Sequence, residues 1–349
     1  LCLWKIITMS KPRITLKDIA TKAGVHSSTV SRVINPKTRD MVTKKVADKI
    51  LSLIKKCNYR PNTFAQSLKT NRSFTIGIIV PDLTNPAFST IIKGAENMLE
   101  THGFSVMISN TYNSSEKQLS TYEKFMDRHV DGLIIASSKI EDPFIKKYKQ
   151  DEIPFVQAVR ASNDKGVSSV VSDEISGGIM VISHLKTLGH NQIAYISGPQ
   201  FISTGKERYQ GFIQGMKLAE LKINNKLVIF CNSFSEEEGR NAAKKLLAAK
   251  TNFTAIFTGN DIMALGVYSE LKKHRIKCGK DISVVGFDDM PFADKFNPPL
   301  TTVHTPLIDV GKEAARLLLD KIENSGIKAS KIKLEPDLII RASTKYKKI

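Results

Sequence analysis

The apolar and polar positions near the start of the chain predict two short helices joined by a tight turn. Thr15 and Asp18 have the spacing of a capping box, so the first helix should begin at Leu16. Gly24 then permits a sharp reversal of the chain. Apolar residues at helical spacing give each helix one buried face: Ile19, Ala20 and Ala23 in the first, and Val30, Val33 and Ile34 in the second. This pattern predicts a helix-turn-helix.

The outer face of the second predicted helix is small, polar and basic, since it carries Ser27, Ser28, Ser31 and Arg32. Such a face suits the major groove of DNA. The charge distribution agrees: the first 72 residues hold 16 Lys or Arg against three Asp and no Glu, a net charge of +13 out of +18. Basic charge on a patterned helical segment indicates phosphate binding, whereas a solvated basic tail would lack the pattern.

A third helix should follow, with Thr43 as its N-cap and Asn58 at its end, and Pro61 then breaks the chain. A short helix is predicted just beyond, followed by a polar linker. Met9 is a plausible natural start, preceded by an upstream extension. We therefore expect these segments: an N-terminal extension over 1–13, a helix-turn-helix DNA-binding domain over 14–61, a hinge helix and linker over 62–73, and a core over 74–349.

The core should be built from parallel sheets, because short apolar runs alternate with helical segments. About a dozen elements are too many for one sheet, so we expect two similar α/β subdomains. The predicted strands are 75–80, 104–109, 131–136, 153–159, 193–197, 227–230, 255–258, 283–287 and 334–341. The predicted helices are 87–102, 115–129, 141–150, 178–188, 207–220, 236–249, 261–274 and 308–324. Ligands of such folds bind at the carboxyl ends of the strands.

Composition and missing motifs narrow the function. The four cysteines are scattered and show no metal-ligand spacing, which favours a reducing cytoplasm, and no apolar run is long enough for a membrane span. The seven histidines form no H-E-x-x-H motif, and no nucleophile elbow, Walker loop or G-x-G-x-x-G fingerprint is present. We therefore expect no catalytic residue, no metal and no cofactor, and no membrane partner.

Several segments resemble the LacI/GalR family of bacterial transcription regulators from about residue 14 to residue 344. The resemblance implies an all-α helix-turn-helix headpiece and a hinge helix, joined to a periplasmic-binding-protein-like core of two doubly wound parallel-sheet subdomains. The segments that carry it are L16-K-D-I-A-T-K-A-G-V, S28-T-V-S-R-V-I-N, Y59-R-P-N-T-F-A-Q-S-L, I193-A-Y-I-S-G-P, R208-Y-Q-G-F, F257-T-G-N-D-I-M-A-L-G, V284-V-G-F-D-D and E335-P-D-L-I-I-R.

The resemblance also implies the DNA contacts. Ser27 and Ser28 would open the recognition helix and reach base edges, while Arg32 would contact bases or clamp a phosphate. Leu68 would be an apolar wedge in the minor groove, although it could equally pack in an amphipathic helix. The other implied DNA-binding positions are Thr15, His26, Thr29, Ser31, Asn35, Tyr59, Asn62 and Ala65.

Effector-binding residues are implied in the core. Arg208, Asn260 and Asp288 match positions that hold the effector in relatives, and their donors and acceptors suit vicinal sugar hydroxyls. Phe88 and Phe234 match stacking positions, although a buried Phe is usually a core residue. Two weaker candidates complete the set: Arg160 and Asp173.

The sequence departs from the family pattern at a few positions. His26 replaces a small hydroxyl residue at the recognition-helix cap, so that helix should start less stably or use His26 on a phosphate. The segment 308–320 lacks the Tyr and Lys with which the carbon catabolite control protein receives its phosphoprotein partner, and this favours a small-molecule effector.

We expect a homodimeric repressor that binds pseudo-palindromic double-stranded operator DNA and responds to a small molecule, a sugar or sugar phosphate. The alternatives are control by a protein partner and a purine effector. A solute-binding module without DNA function is a third hypothesis.

Overall fold

The computed structural model describes residues 14–59, 72–249, 251–324 and 326–347. The chain divides into two compact units, Leu1–Ser73 and Phe74–Ile349. The described part of the first unit holds helices α1 (Leu16–Ala23), α2 (Ser27–Ile34) and α3 (Lys44–Lys56), with a 3₁₀ helix, Pro36–Met41, before α3. The 3₁₀ helix was not predicted. The predicted hinge positions Asn62, Ala65 and Leu68 lie outside the described residues.

The helix-turn-helix forms as the sequence pattern predicts. The backbone N–H of Thr15 donates to Asp18 Oδ2 at 2.7 Å and the Asp18 N–H donates to Thr15 Oγ1 at 3.3 Å, so both halves of the capping box are present. Gly24 ends α1 in the left-handed conformation at φ +70°. Ile19, Val30 and Ile50 are fully buried together between the three helices. Thr43 is the N-cap residue of α3, as predicted, although its side chain forms no capping hydrogen bond.

The described part of the second unit forms two six-stranded sheets with helices packed on them, in agreement with the predicted two α/β subdomains. The strands are β1 (Thr75–Val80), β2 (Ser105–Asn110), β3 (Gly132–Ile135), β4 (Phe155–Ala158), β5 (Ser169–Ser172), β6 (Ile193–Ser197), β7 (Val228–Phe230), β8 (Ala255–Thr258), β9 (Ser283–Asp288), β10 (Thr301–His304), β11 (Lys331–Leu334) and β12 (Asp337–Ile339). The first sheet has the order β11-β5-β4-β3-β1-β2 and the second has the order β12-β10-β9-β8-β6-β7. All neighbouring strands are parallel except β10 and β12.

The helices of this unit pair along the chain and between distant segments. The helices are α4 (Pro86–Thr101), α5 (Ser115–Asp127), α6 (Ile145–Gln150), α7 (Glu174–Thr187), α8 (Ser203–Leu218), α9 (Glu236–Ala248), α10 (Asp261–Lys273) and α11 (Leu307–Glu323). The α4–α11 pair joins segments that are far apart in sequence, and α7 with α8 and α9 with α10 make the other extensive contacts. In the described part of the chain, none of the helices has the length and apolar character that a membrane crossing needs.

The chain passes between the two sheets three times. It leaves the first sheet after β5, returns through α11 after β10, and crosses again between β11 and β12. The prediction of one strand over 334–341 was therefore wrong. Pro336 stands between β11 and β12, and because it has no N–H it cannot continue a hydrogen-bonded strand. Strands β5 and β10 were not predicted.

Candidate functional site

Arg208 on α8 lies at the centre of a buried polar cluster. Its Nε donates to Glu174 Oε2, its Nη1 to the carbonyl of Gly259, and its Nη2 to Asp288 Oδ1, each at 2.6 Å. The guanidinium carbon also lies 3.9 Å from the ring centroid of Phe287. Burial disfavours the cation, but the carboxylates of Asp288 and Glu174 outweigh it and raise the pKa of Arg208. The cluster therefore holds a permanent cation in a fixed orientation.

Glu174 is the first residue of α7 and is 1 % exposed. Burial raises the pKa of its carboxyl to about 7, and Arg208 opposes that rise. Its second oxygen, Oε1, is buried without a hydrogen-bond partner among the described residues. The sequence prediction missed this residue because it did not include β5, the strand that ends two residues before Glu174.

The first sheet contributes a second buried guanidinium. Arg160 follows β4, is 6 % exposed, and donates from Nη1 to Asn113 Oδ1 at 3.1 Å. Its guanidinium carbon lies 5.6 Å from the ring centroid of Phe88, just as that of Arg208 lies 5.6 Å from the ring of Phe234. Burial and repulsion by Arg208 lower the pKa of Arg160 to about 10, against attraction by Asp288 and Asp82. The two subdomains therefore each offer an arginine on an aromatic ring.

Two of the predicted effector residues cap helices. Asn260 Oδ1 accepts from the backbone N–H of Met263 at 2.9 Å at the start of α10, so its side-chain amide is the group that a ligand could meet. Asp173 Oδ1 accepts from the N–H of Ser176 at 3.1 Å at the start of α7, and Lys333 Nζ lies 3.5 Å away. Asp173 is therefore the less available of the two.

The carboxylates of Asp261 and Asp289, which are next to Asn260 and Asp288 in the chain, form contacts that stabilise the fold. Asp261 accepts from the Thr302 hydroxyl and from the backbone N–H of Met290, at 2.6 and 2.7 Å. Asp289 pairs with Arg341 at 2.7 Å. These two acids, although they lie at strand ends like Asp288, have structural partners.

The recognition helix α2 presents the residues expected on its outer face. Ser28, Ser31 and Arg32 are exposed, as are Thr15, His26 and Asn35, while Ser27 and Thr29 are half-buried. His26 caps the helix, because its Nδ1 accepts from the Ser28 N–H at 3.2 Å and lies 2.8 Å from the Ser28 hydroxyl. Tyr59 is only 8 % exposed in the core of this unit, so little of its ring is accessible to DNA. The same burial raises the pKa of its hydroxyl.

A helix-turn-helix unit followed by two α/β subdomains with a buried charged cluster defines a ligand-responsive DNA-binding regulator. The model described as bacterial regulatory proteins, lacI family, matches residues 15–62, and the periplasmic binding protein-like domain matches residues 182–344. The HTH-type transcriptional repressor PurR of Mannheimia succiniciproducens is 34 % identical over 334 residues, covering 95 % of this chain and 98 % of that protein. The chain belongs to the lacI family of bacterial regulatory proteins.

Solved structures agree with this assignment. The lac repressor dimer bound to operator and an anti-inducer is 26 % identical with a TM-score of 0.84, covering 95 % of this chain and 99 % of that chain. The transcriptional regulator CelR in complex with cellobiose is 30 % identical with a TM-score of 0.74, covering 95 % and 100 %. The predicted LacI/GalR membership and fold class are confirmed, and the chain is an effector-controlled DNA-binding repressor.

Proposed function

We propose that the effector is a sugar or sugar phosphate bound between the two α/β subdomains. The observation that carries this proposal is the buried cluster of Arg208, Asp288 and Arg160, in which paired donors and acceptors lie beside aromatic rings. Such pairs suit vicinal hydroxyls, and ring faces suit the C–H face of a sugar. Asn260 would add an amide, and Asp173 a weaker contact.

The effector acts by shifting a conformational equilibrium. Three chain crossings join the two subdomains, so their relative closure is the movement that a ligand between them would bias. An inducer would bind the state that cannot hold DNA more tightly, and a corepressor would do the reverse. CelR, whose solved structure holds cellobiose, supports a sugar as the effector class.

On the DNA side, we propose a homodimer that places α2 in the major groove of each operator half-site. Ser27, Ser28 and Arg32 would reach base edges or phosphate, while Thr15, Thr29, Ser31 and Asn35 would position the backbone. The segment around Leu68 would kink the DNA at the minor groove.

The test is fluorescence anisotropy with the DNA upstream of the protein's own gene, titrated with the full-length chain and a panel of sugars and sugar phosphates. At least one sugar should change the operator affinity of the wild-type protein at least tenfold. It should not change that of the Arg208→Met/Glu174→Gln/Asp288→Asn variant, in which neither carboxylate is left buried without its cation. Operator affinity should fall steeply with salt, since many cations displace counterions. An Arg32→Ala variant that retained full affinity would contradict the proposed DNA contacts.

A purine effector is the second candidate, favoured by the similarity to repressors named PurR. The same titration with free purine bases separates it from a sugar. A response to neither, together with binding of a phosphocarrier protein, would favour control by a protein partner.

A further inference from the structure

Glu174 is the feature of the buried cluster that the family resemblance does not account for. It lies two residues after the end of β5, at the start of α7, whereas Arg208 lies on α8 and Asp288 at the end of β9. Its Oε2 is 2.6 Å from Arg208 Nε, and both side chains are buried to more than nine-tenths. Burial raises the pKa of this carboxyl to about 7, whereas Arg208 and the position at the N-terminus of a 14-residue helix favour the ionised form, so the carboxylate prevails at pH 8.

Arg208 has little capacity left for an anionic ligand. A guanidinium has five N–H donors. Nε is committed to Glu174, one Nη2 donor to Asp288 and one Nη1 donor to the Gly259 carbonyl. Two of these three acceptors are carboxylates, so the positive charge of Arg208 is already more than balanced. A phosphate would have to share the two remaining Nη donors with these carboxylates or displace one of them, and neither carboxylate has another cation in contact among the described residues.

The second guanidinium does not reverse this balance. Arg160 is bonded to the neutral Asn113, but the carboxylates of Asp288 and Asp82 both act on its charge. Glu174 and Asp288 pair with Arg208, and the charges of Asp288 and Asp82 also favour the cation of Arg160, so carboxylates already balance the positive charge of the cluster. A dianion would add negative charge to this balanced cluster in a water-poor environment, where repulsion is strong.

One carboxylate oxygen of Glu174 lacks the hydrogen-bond donor that a buried acceptor needs. Oε1 is buried without a partner in the described part of the structure. A ligand hydroxyl placed against this atom satisfies it, whereas a phosphate group placed there cannot, because as a dianion it only accepts hydrogen bonds.

We propose that Glu174 is a specificity-determining residue, which balances Arg208 so that the site takes a neutral, hydroxyl-bearing ring and rejects phosphorylated ligands. This inference rests on the proposed sugar effector and narrows it to an unphosphorylated sugar. Removing the charge of Glu174 while keeping its shape should admit anions. Glu174 acts both by balancing the charge of Arg208 and by accepting a hydrogen bond from the ligand at Oε1, so its effect should appear in the choice between ligands more than in folding.

The experiment compares full-length wild type, Glu174→Gln and Glu174→Asp by isothermal titration at pH 8, where Glu174 is ionised, with two matched pairs of ligands. The pairs are D-ribose with D-ribose 5-phosphate and D-glucose with D-glucose 6-phosphate. Wild type and Glu174→Asp should bind the neutral member of a pair at least tenfold more tightly. In Glu174→Gln the ratio of the affinity for the neutral member to that for the phosphorylated member should fall at least tenfold, so that the preference shrinks or inverts. A wild-type preference for the phosphorylated member, or an unchanged ratio in Glu174→Gln, would overturn the inference.

Sulfate provides a readout that does not depend on the identity of the sugar. Sodium sulfate should raise the melting temperature of Glu174→Gln more than that of Glu174→Asp, since the basic first unit is the same in both. If no sugar binds but this difference appears, the inference stands and the sugar effector fails. If no sugar binds and the two variants respond equally, both fail. Should Glu174→Gln not fold, Glu174→Asn replaces it in both measurements.

Discussion

Nδ1 of His26 accepts a hydrogen bond from the backbone N–H of Ser28, and this contact begins the recognition helix α2. Histidine stands where a small hydroxyl residue would be usual, yet it satisfies one of the free N–H groups of the first turn. The cap and any DNA contact by the same ring are therefore separable by mutation.

His26→Ala should remove the cap and destabilise α2 by about 1 kcal/mol, the usual effect of losing a side-chain cap. Operator affinity should fall about fivefold, measured by anisotropy on the full chain. The control is His26→Ser, which restores a cap acceptor and should bind like wild type. If His26→Ser binds as weakly as His26→Ala, the histidine ring itself contacts the DNA.

Arg208→Met should destabilise the core strongly, because it leaves the carboxylates of Glu174 and Asp288 buried without their cation. Breaking a buried pair in this way costs about 3–5 kcal/mol. Chemical unfolding followed by circular dichroism measures the change. Combining Arg208→Met with Glu174→Gln and Asp288→Asn should recover most of the loss.

The matched control for that series is Arg316→Met. Arg316 pairs with Glu313 and Asp320 on the exposed face of α11, at 2.8 and 3.0 Å. Exposed pairs contribute about 1 kcal/mol or less, so this variant should unfold almost like wild type. Equal decreases in the free energy of unfolding of Arg208→Met and Arg316→Met would contradict the prediction.

Stability should decrease in acid because of His190, which is 3 % exposed. Its Nε2 donates to the Lys345 carbonyl at 3.0 Å and its Nδ1 accepts from the Thr254 hydroxyl at 2.8 Å. Burial lowers the pKa of His190 below its ordinary value, so the unfolded chain binds the proton more readily than the folded one. The contribution is complete above about pH 6.5 and is lost as pH falls through the lowered pKa.

Urea unfolding from pH 8 to pH 5 tests this, with His190→Gln as the comparison because glutamine keeps one donor and one acceptor but does not titrate. Wild type should lose stability more steeply than the variant as pH falls. Parallel curves for the two proteins would show that His190 has no part in the acid response.

Gly311 in α11 allows close packing on α4. A Cβ atom at this position would collide with the carbonyl oxygen of Ile91, so the two helices would have to separate. Gly311→Ala should destabilise the protein by about 2 kcal/mol, since overpacking outweighs the better helix propensity of alanine.

Gly166→Ala is the control for this substitution. The atoms nearest to its added Cβ belong to the ends of flexible side chains, Lys149 and Asp164, at 3.2 and 3.3 Å. In thermal unfolding, the melting temperature of Gly311→Ala should be well below that of Gly166→Ala. Similar melting temperatures would refute the close-packing argument.

The sequence predicted those parts of the molecule that depend on local pattern. The capping box at Thr15 and the turn at Gly24 use short-range spacing, and so do the apolar strands that follow residue 74. The prediction was wrong where contacts between distant segments determine which sheet a strand joins. Around Pro336, one apolar stretch supplies strands to two different sheets.

By itself, the sequence determined the class of protein: a basic helix-turn-helix joined to a two-subdomain α/β core, because helical and strand periodicity and the charge distribution are properties of neighbouring residues. Only the tertiary structure decided which groups surround Arg208, since its partners lie 34, 51 and 80 residues away along the chain. Parallel strands bring their carboxyl ends to one edge, and packing of α7 on α8 adds Glu174 to that edge. Because Glu174 is buried against Arg208, its carboxylate balances the charge of the site.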